Sequence, residues 1–166
     1  GGTFTQLFAG AAFYMANLPA GASEVVLFQF RDGSNVAQCS LTVSTTGVLE
    51  VRSGDHNDAI VADSNTLSPT PPITAQAYKF VEIYVDIGNG ASPADGEVEV
   101  RVDGVTVISA TSIDTRGGAS GANCEQISLG ATGENLSLDI ADFYVCDTTT
   151  AINNDFLVDT QWLDHL

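Results

Sequence analysis

Strict alternation of apolar and polar side chains is the feature of this sequence that most limits its fold. In residues 79–87 and 97–103, valine or isoleucine recurs at every second position, with charged or aromatic residues between. A side-chain period of two is that of a β-strand with one buried face, and helical periodicity is nearly absent from the chain. The dipeptide Asp103-Gly104 favours a two-residue hairpin turn. The sequence therefore predicts antiparallel strands joined by tight turns.

Further short strand patterns, separated by Gly, Asn and Asp, recur along most of the chain. They occupy residues 24–30, 36–43, 48–52, 105–108, 127–129 and 136–146. The last run changes phase near Ala141, which indicates a β-bulge. The proline-rich segment 54–72 is expected to be a loop with at most an edge strand. Eight or more short strands without a helix predict an all-β fold, an antiparallel two-sheet β-sandwich or jelly roll over residues 1–150, followed by a C-terminal tail over 151–166.

Composition and charge exclude several classes of protein. The chain has 166 residues, 44% of them hydrophobic, which is enough for one domain with a core and too many for a disordered chain. It carries 21 acidic and 5 basic side chains, a formal charge of −16. Nucleic acid and membrane are therefore not expected as partners. We find no secretory signal, and Gly1 in place of an initiator Met indicates a processed chain or a piece of a longer one.

Three segments carry a family resemblance. They are "TTGVLEVRSG", then "YKFVEIYVDIGNG" with "GEVEVRVDGVTVISAT", and finally "LDIADFYVCDTTTAINNDFLVD". The first two resemble a hairpin and the paired central strands of laminin-G-like, concanavalin A-like sandwiches. The third is similar to the closing strand and tail of laminin-G-like proteins of tailed-phage virions, which end near "NNDFLGD". Ala141 stands where that group commonly has Asp, and Val158 where it has Gly. The resemblance covers about residues 4–159.

The resemblance implies a non-enzymatic structural protein located on a phage virion. It would be a capsid decoration or fibre component that contacts other virion proteins of the capsid or tail, and it would form homo-oligomers because virion parts repeat by symmetry. The alternative is a glycan-binding, lectin-like adhesin module of a tail or head fibre, which binds a host-surface glycan with or without Ca²⁺. A third interpretation is a domain of a secreted polysaccharide-degrading enzyme, with catalytic carboxylates supplied by another domain.

The sequence lacks the carboxylate spacing of the glucanases that share this fold. Those enzymes carry Glu-x-Asp-x-x-Glu on one strand face, so that acid and nucleophile flank the scissile bond. Glu97 and Glu99 share a strand face here, but Arg101 follows, and the alternation is typical of a solvated surface. The cysteines and histidines do not suggest a nucleophile either. The sequence therefore predicts that the protein is not an enzyme.

Two loops carry the oxygen ligands that Ca²⁺ requires, which makes Ca²⁺ the one candidate cofactor. The alternative is that Asp and Asn at these positions only form turns. Zinc is not expected, because the two histidines, His56 and His165, show no paired ligand spacing. The candidate ligands are Asp55, Asn57, Asp58 and Asp63 in one loop, and Asp147, Asn153, Asn154 and Asp155 in the other.

The polar tail contains five large apolar residues, Phe156, Leu157, Trp162, Leu163 and Leu166. We expect the first two to cap the sandwich. The other three either dock on a neighbouring subunit, since large apolar side chains anchor interfaces, or fold back onto the same domain.

The three cysteines allow two interpretations. Cys39 lies on an inward strand face and is expected to be a buried thiol. Cys124 and Cys146 are separated by a short strand and a turn, which would permit a disulfide. The odd cysteine count and assembly in a reducing cytosol favour free thiols instead.

Overall fold

Ten β-strands account for most of the residues that the structure describes. The computed structural model describes residues 4–20, 24–88, 94–117, 123–130, 137–148 and 155–156. The strands are β1 (Gln6–Met15), β2 (Val25–Arg31), β3 (Ala37–Val43), β4 (Leu49–Ser53), β5 (Ile60–Asp63), β6 (Tyr78–Asp86), β7 (Gly96–Val102), β8 (Val105–Ile113), β9 (Gln126–Leu129) and β10 (Leu138–Asp147). Within these ranges there is no helix, and so none with the length and apolarity to cross a membrane.

The strands form two five-stranded antiparallel sheets that pack on each other. The first sheet has the order β10-β1-β6-β7-β8, and the second has the order β5-β4-β3-β2-β9. This confirms the predicted all-β, two-sheet sandwich. The proline-rich segment contributes only β5, which lies at the edge of the second sheet, as expected.

The inward faces of both sheets fill one apolar core. Val98 and Val100 are fully buried and Val102 is 5% exposed, as their alternation predicts. Phe13 of the first sheet meets Phe28 of the second edge to face, with ring centroids 5.4 Å apart. Each large side chain buried in this way stabilises the fold by roughly 1.5–3 kcal/mol, so the core is the main force that holds the sheets together.

Strand β1 was not among the strands that alternation predicts, yet it lies between β10 and β6 in the first sheet. Its sequence, QLFAGAAFYM, has apolar or small residues on both faces and so shows no period of two. The odd-numbered residues from Leu7 to Met15 face the core. The even-numbered residues therefore face outward, and this outer face of the first sheet is the surface of functional interest.

Candidate functional site

The outer face of the first sheet carries three pairs of aromatic side chains arranged along β1. Strand register brings them together, because Phe8 pairs with Tyr84, Ala12 with Phe80 and Tyr14 with Tyr78. Tyr144 enters from the other side, opposite Gly10. We call this set the aromatic track, and its members are Phe8, Tyr14, Tyr78, Phe80, Tyr84 and Tyr144.

The three pairs differ in geometry. The Phe8 and Tyr84 rings lie 4.8 Å apart with a tilt of 36°, and the Tyr14 and Tyr78 rings lie 5.1 Å apart with a tilt of 39°. Phe80 and Tyr144 are nearly parallel, at 14°, with centroids 6.4 Å apart. From Phe8 to Tyr14 the strand advances six residues, or about 20 Å at the usual rise per residue. The track is therefore an elongated surface and not a single pocket.

A buried carboxylate lies under the middle of the track. Glu82 is fully buried, and its Oε1 accepts a hydrogen bond of 2.5 Å from the Tyr144 hydroxyl. The Tyr144 side chain reaches Glu82 by crossing Gly10, where an added Cβ would lie only 2.3 Å from the ring atom Cε1. The absence of a side chain at Gly10 is what admits the Tyr144 ring.

An ion pair and a tail residue lie beside one end of the track. The Nε of Arg101 donates to Oε1 of Glu99 at 2.8 Å, and the Thr106 hydroxyl donates to the same oxygen at 2.9 Å. The Arg101 guanidinium carbon is 4.0 Å from the centre of the Phe156 ring. Phe156 also meets Phe8 edge on, at 5.1 Å between centroids. One residue of the predicted tail thus packs on the protein's own first sheet.

The other apolar tail residues lie outside the described residues: Leu157, expected to cap the sandwich, and Trp162, Leu163 and Leu166, expected to dock on a neighbouring subunit or fold back. The expected boundary between sandwich and tail at residue 150 also lies outside them. The roles expected for these four residues stay predictions.

Carboxylates lie near Tyr84 on its own strand, β6, and on the neighbouring strand, β7. Burial raises the pKa of Tyr84 to about 12, and the nearby charges of Asp86 and Glu97 add to the rise. Asp86 accepts a hydrogen bond of 2.7 Å from the Gln6 side chain amide. Tyr84 is therefore neutral at physiological pH, and its hydroxyl is available as a hydrogen-bond donor or acceptor.

The outer face of the second sheet is organised differently, as a network of buried polar side chains. The Gln29 amide donates to Ser40 Oγ at 3.1 Å and to Asp55 Oδ1 at 2.9 Å. Arg52 pairs with Glu50 at 2.6 Å and also with Glu24. Most of these groups bond to one another, but Glu24 Oε2 and Arg52 Nε are buried without a hydrogen-bond partner among the described residues.

The predicted Ca²⁺ ligands of the first loop make turn-type hydrogen bonds. Asp58 Oδ2 accepts from the Asp55 backbone at 2.7 Å, and Asp63 Oδ1 accepts from the Asn65 backbone at 2.8 Å. Burial acts to raise the pKa of Asp55, but hydrogen bonds from His56 and Gln29 outweigh it and the pKa is lowered. The Asn57 amide nitrogen lies 3.0 Å from the His56 ring.

The second predicted loop is only partly described. Asp147 ends β10 and Asp155 is exposed, while Asn153 and Asn154 lie outside the described residues. Among the residues that the structure describes, no three His, Cys, Asp or Glu side chains are grouped so that they could hold a metal ion. Ca²⁺ binding at either loop remains a prediction.

All three cysteines are free thiols in the structure, so the disulfide between Cys124 and Cys146 is not formed. Burial raises the pKa of Cys39 to about 12 and that of Cys124 to about 11. Thiols that resist ionisation in this way are inert side chains of the core and not nucleophiles.

Comparison with known proteins shows the fold. No protein-family model and no curated protein matches the chain. The structure of alginate lyase Aly36B is similar with a TM-score of 0.55 and 12% identity, over 87% of this chain and 70% of the lyase. A sialidase has a TM-score of 0.53 and 15% identity, and the match covers 89% of this chain and 14% of the sialidase. Trypanosoma rangeli sialidase has a TM-score of 0.52 and 12% identity, and the match covers 84% of this chain and 20% of that sialidase.

These similarities fit the concanavalin A-like jelly roll that the sequence resembles, and at such identities they show a shared fold alone. The chain spans only a small part of each sialidase. The similar structures are of proteins that act on carbohydrates, and none of these matches is specific to phages.

The prediction that the protein is not an enzyme is wrong. It rested on the lack of one glucanase spacing, on cysteines and histidines that suggest no nucleophile, and on the family resemblance. An alginate lyase and sialidases, which are enzymes, nevertheless share this fold. One fold hosts several chemistries, so the absence of one catalytic motif does not exclude the others.

Proposed function

We propose that this protein is a glycan-binding domain that holds its ligand on the aromatic track. The observation that carries the proposal is the alignment of three aromatic pairs along β1 on one outer face. Sugar rings present apolar C–H faces that pack on aromatic rings, while their hydroxyl groups need polar partners at the edge.

Five of the six rings of the track are accessible to a ligand, whereas Phe8 is only 8% exposed and packs against Phe156. Tyr78 is 60% exposed, and Tyr14, Phe80, Tyr84 and Tyr144 are partly exposed. A surface about 20 Å long suits an extended oligosaccharide better than a monosaccharide, because successive sugar rings would meet successive aromatic pairs.

Polar acceptors lie next to the rings. Asp86, Glu97 and Glu99 stand on the same outer face, because the register pairs Asp86 with Glu97 and Tyr84 with Glu99. Hydrogen bonds from sugar hydroxyls to carboxylates are charge-assisted and stronger than neutral ones. Rings for stacking and carboxylates for hydroxyl recognition are thus adjacent.

The similar solved structures support the same class of ligand. One of them is a variant of the same alginate lyase in complex with an alginate trisaccharide. Location on a phage virion, as a head- or tail-fibre adhesin that assembles with other copies, stays a prediction from the terminal motif.

A glycan array followed by calorimetry with the best-bound oligosaccharide tests the proposal. The protein should bind, and the variant Tyr78→Ala/Tyr84→Ala should lose most of the affinity. Val105→Ala removes a side chain that is 64% exposed at the β7–β8 hairpin, away from the track, and should bind normally. Equal binding by the double variant and the wild type would refute the proposal. Repeating the array with EDTA tests the predicted Ca²⁺, and the bound glycans should also be checked for cleavage.

A further inference from the structure

We infer that the glycan held on the aromatic track is uncharged, and that glycans bearing uronate or sialate carboxylates are excluded. This inference rests on the proposed function and narrows its ligand class. The inferred neutral glycan differs from the alginate trisaccharide bound in the similar alginate lyase structure, because alginate is a polymer of uronates.

The charge on the outer face of the first sheet is predominantly negative. Strand register places Glu82 opposite Arg101, Tyr84 opposite Glu99 and Asp86 opposite Glu97. On β6 and β7, four carboxylates therefore share this face with one guanidinium. An anionic sugar on the track would approach these carboxylates and be repelled by them.

The guanidinium of this face is partly engaged by its neighbours. Arg101 donates from Nε to Glu99 at 2.8 Å, and its guanidinium lies over the Phe156 ring at 4.0 Å. Glu99 thus takes one of its donors and Phe156 covers one of its faces, and the Glu99 carboxylate beside it opposes the approach of an anion. Recognition of a carboxylate usually relies on a bidentate, unshared arginine, which the described part of this face does not provide.

The other four of the chain's five basic side chains lie elsewhere. Lys79 pairs with the core-facing Phe13 and donates to Asp103 at 2.7 Å. Arg31 and Arg52 belong to the second sheet. Arg116 lies beyond β8, with Asp95 at 3.8 Å. With a formal charge of −16, the rest of the protein also repels anions.

Neutral oligosaccharides and their oxidised, anionic forms separate the effect of ligand charge on binding from the effect of ligand shape. We would measure binding of β-1,3-glucan, β-1,4-glucan and β-1,4-mannan hexasaccharides, and of the same hexasaccharides oxidised at C6 to uronates, with alginate hexasaccharide as a further anion. The measurements are made in EDTA at about 0.01 M and about 1 M salt, where charge screening is weak and strong respectively.

At low salt, at least one neutral probe should bind, and its oxidised form should bind at least about tenfold more weakly. The difference in affinity between the neutral and the oxidised probe should narrow at high salt, because screening weakens the repulsion. An oxidised probe or alginate that binds as tightly as the neutral probes at low salt would overturn the inference and leave the proposed function intact. If no probe of either kind binds, or if Tyr78→Ala/Tyr84→Ala does not alter binding, the proposed function itself fails.

Reversal of one charge tests whether carboxylates of this face cause the weaker binding of the oxidised probe. Glu97 is exposed on the outer face, so Glu97→Lys should raise the affinity for the oxidised probe several-fold relative to the affinity for the neutral probe. Glu125→Lys makes the same change of net charge at an exposed residue that precedes β9 of the second sheet, and should have a smaller effect. Equal gains in both variants would show that net charge alone governs selectivity and would contradict the role assigned to this face.

Discussion

The hydroxyl of Tyr144 donates a hydrogen bond to Glu82 across an intervening strand, over the position where Gly10 has no side chain. The three residues belong to β10, β6 and β1, which are adjacent in the first sheet. The contact therefore exists only when all three strands are assembled, and it fixes both the middle of the aromatic track and the buried carboxylate beneath it.

Removal of this hydroxyl should destabilise the protein. Tyr144→Phe keeps the ring beside Phe80 but leaves a buried carboxylate without one of its donors. We expect the free energy of unfolding to fall by about 1.5–3 kcal/mol, measured by urea denaturation. Tyr78→Phe removes a hydroxyl from a side chain that is 60% exposed and should change stability by less than about 0.5 kcal/mol. Equal effects of the two variants would contradict the importance of the Tyr144–Glu82 contact.

A methyl group at position 10 should also be costly. In Gly10→Ala the new Cβ would collide with the Tyr144 ring, and the forced shift should cost about 1–3 kcal/mol. In a Tyr144→Ala background the same substitution should cost little, because nothing remains to collide. A double-mutant cycle by urea denaturation measures this coupling, and strict additivity of the two substitutions would show that the ring is not the obstacle.

Tyr78 should contribute to ligand binding with little effect on folding, because it is the most exposed ring of the track. Tyr78→Ala should weaken binding of the preferred oligosaccharide by about five- to tenfold, the loss of one stacking contact. Calorimetry gives the affinity and thermal denaturation checks the fold. Unchanged affinity in a folded variant would place the ligand elsewhere.

Alkaline pH should destabilise the protein through its buried thiols. Burial raises the pKa of Cys39 to about 12 and that of Cys124 to about 11, from an ordinary value of 9.0. Below that ordinary value both thiols are protonated in the folded and unfolded states. As pH rises above it, the unfolded chain releases protons that the folded protein retains, so the free energy of unfolding falls by up to about 1.4 kcal/mol per pH unit for each thiol.

Cys39→Ala should therefore flatten the dependence of stability on pH between about pH 9 and pH 11. The change in the free energy of unfolding per pH unit is compared between Cys39→Ala and the wild type. The absolute free energy of unfolding is not compared, because the substitution also leaves a cavity. Cys146→Ala serves as control, since Cys146 is less buried. Parallel slopes for the wild type and Cys39→Ala would rule out the thiol as the titrating group.

The sequence predicts the parts of the fold that depend on local pattern. The Asp103-Gly104 turn has φ of 51° and 77°, the positive values that a two-residue hairpin of this type requires. The bulge predicted near Ala141 appears as a register shift between the Tyr144 and Ala141 pairs, with Asp142 at φ of 52°. Both features are set by a few consecutive residues.

The candidate site could not be predicted in this way, because it depends on which strands become neighbours. β1 lacks alternation, so its outer face and the partners of that face were not recognised. Glu82 has the pattern of a solvated position, yet it is fully buried, and the side chain of Tyr144, 62 residues further along the chain, reaches across β1 to it. Strict alternation along residues 24–30 would place Val26 and Phe28 on one face of β2, but a register shift separates them.

The placement of β1 has a consequence for how the protein is made. Its two partners are β6 and β10, and Leu7 pairs with Val85 and with Asp147. During synthesis, β1 can pair with β6 only after residues 78–86 have left the ribosome, and with β10 only after residues 138–147 have. Contacts this distant along the chain form slowly. Until then its run of small and aromatic residues is exposed, so nascent chains of this protein should depend on chaperones that shield such segments.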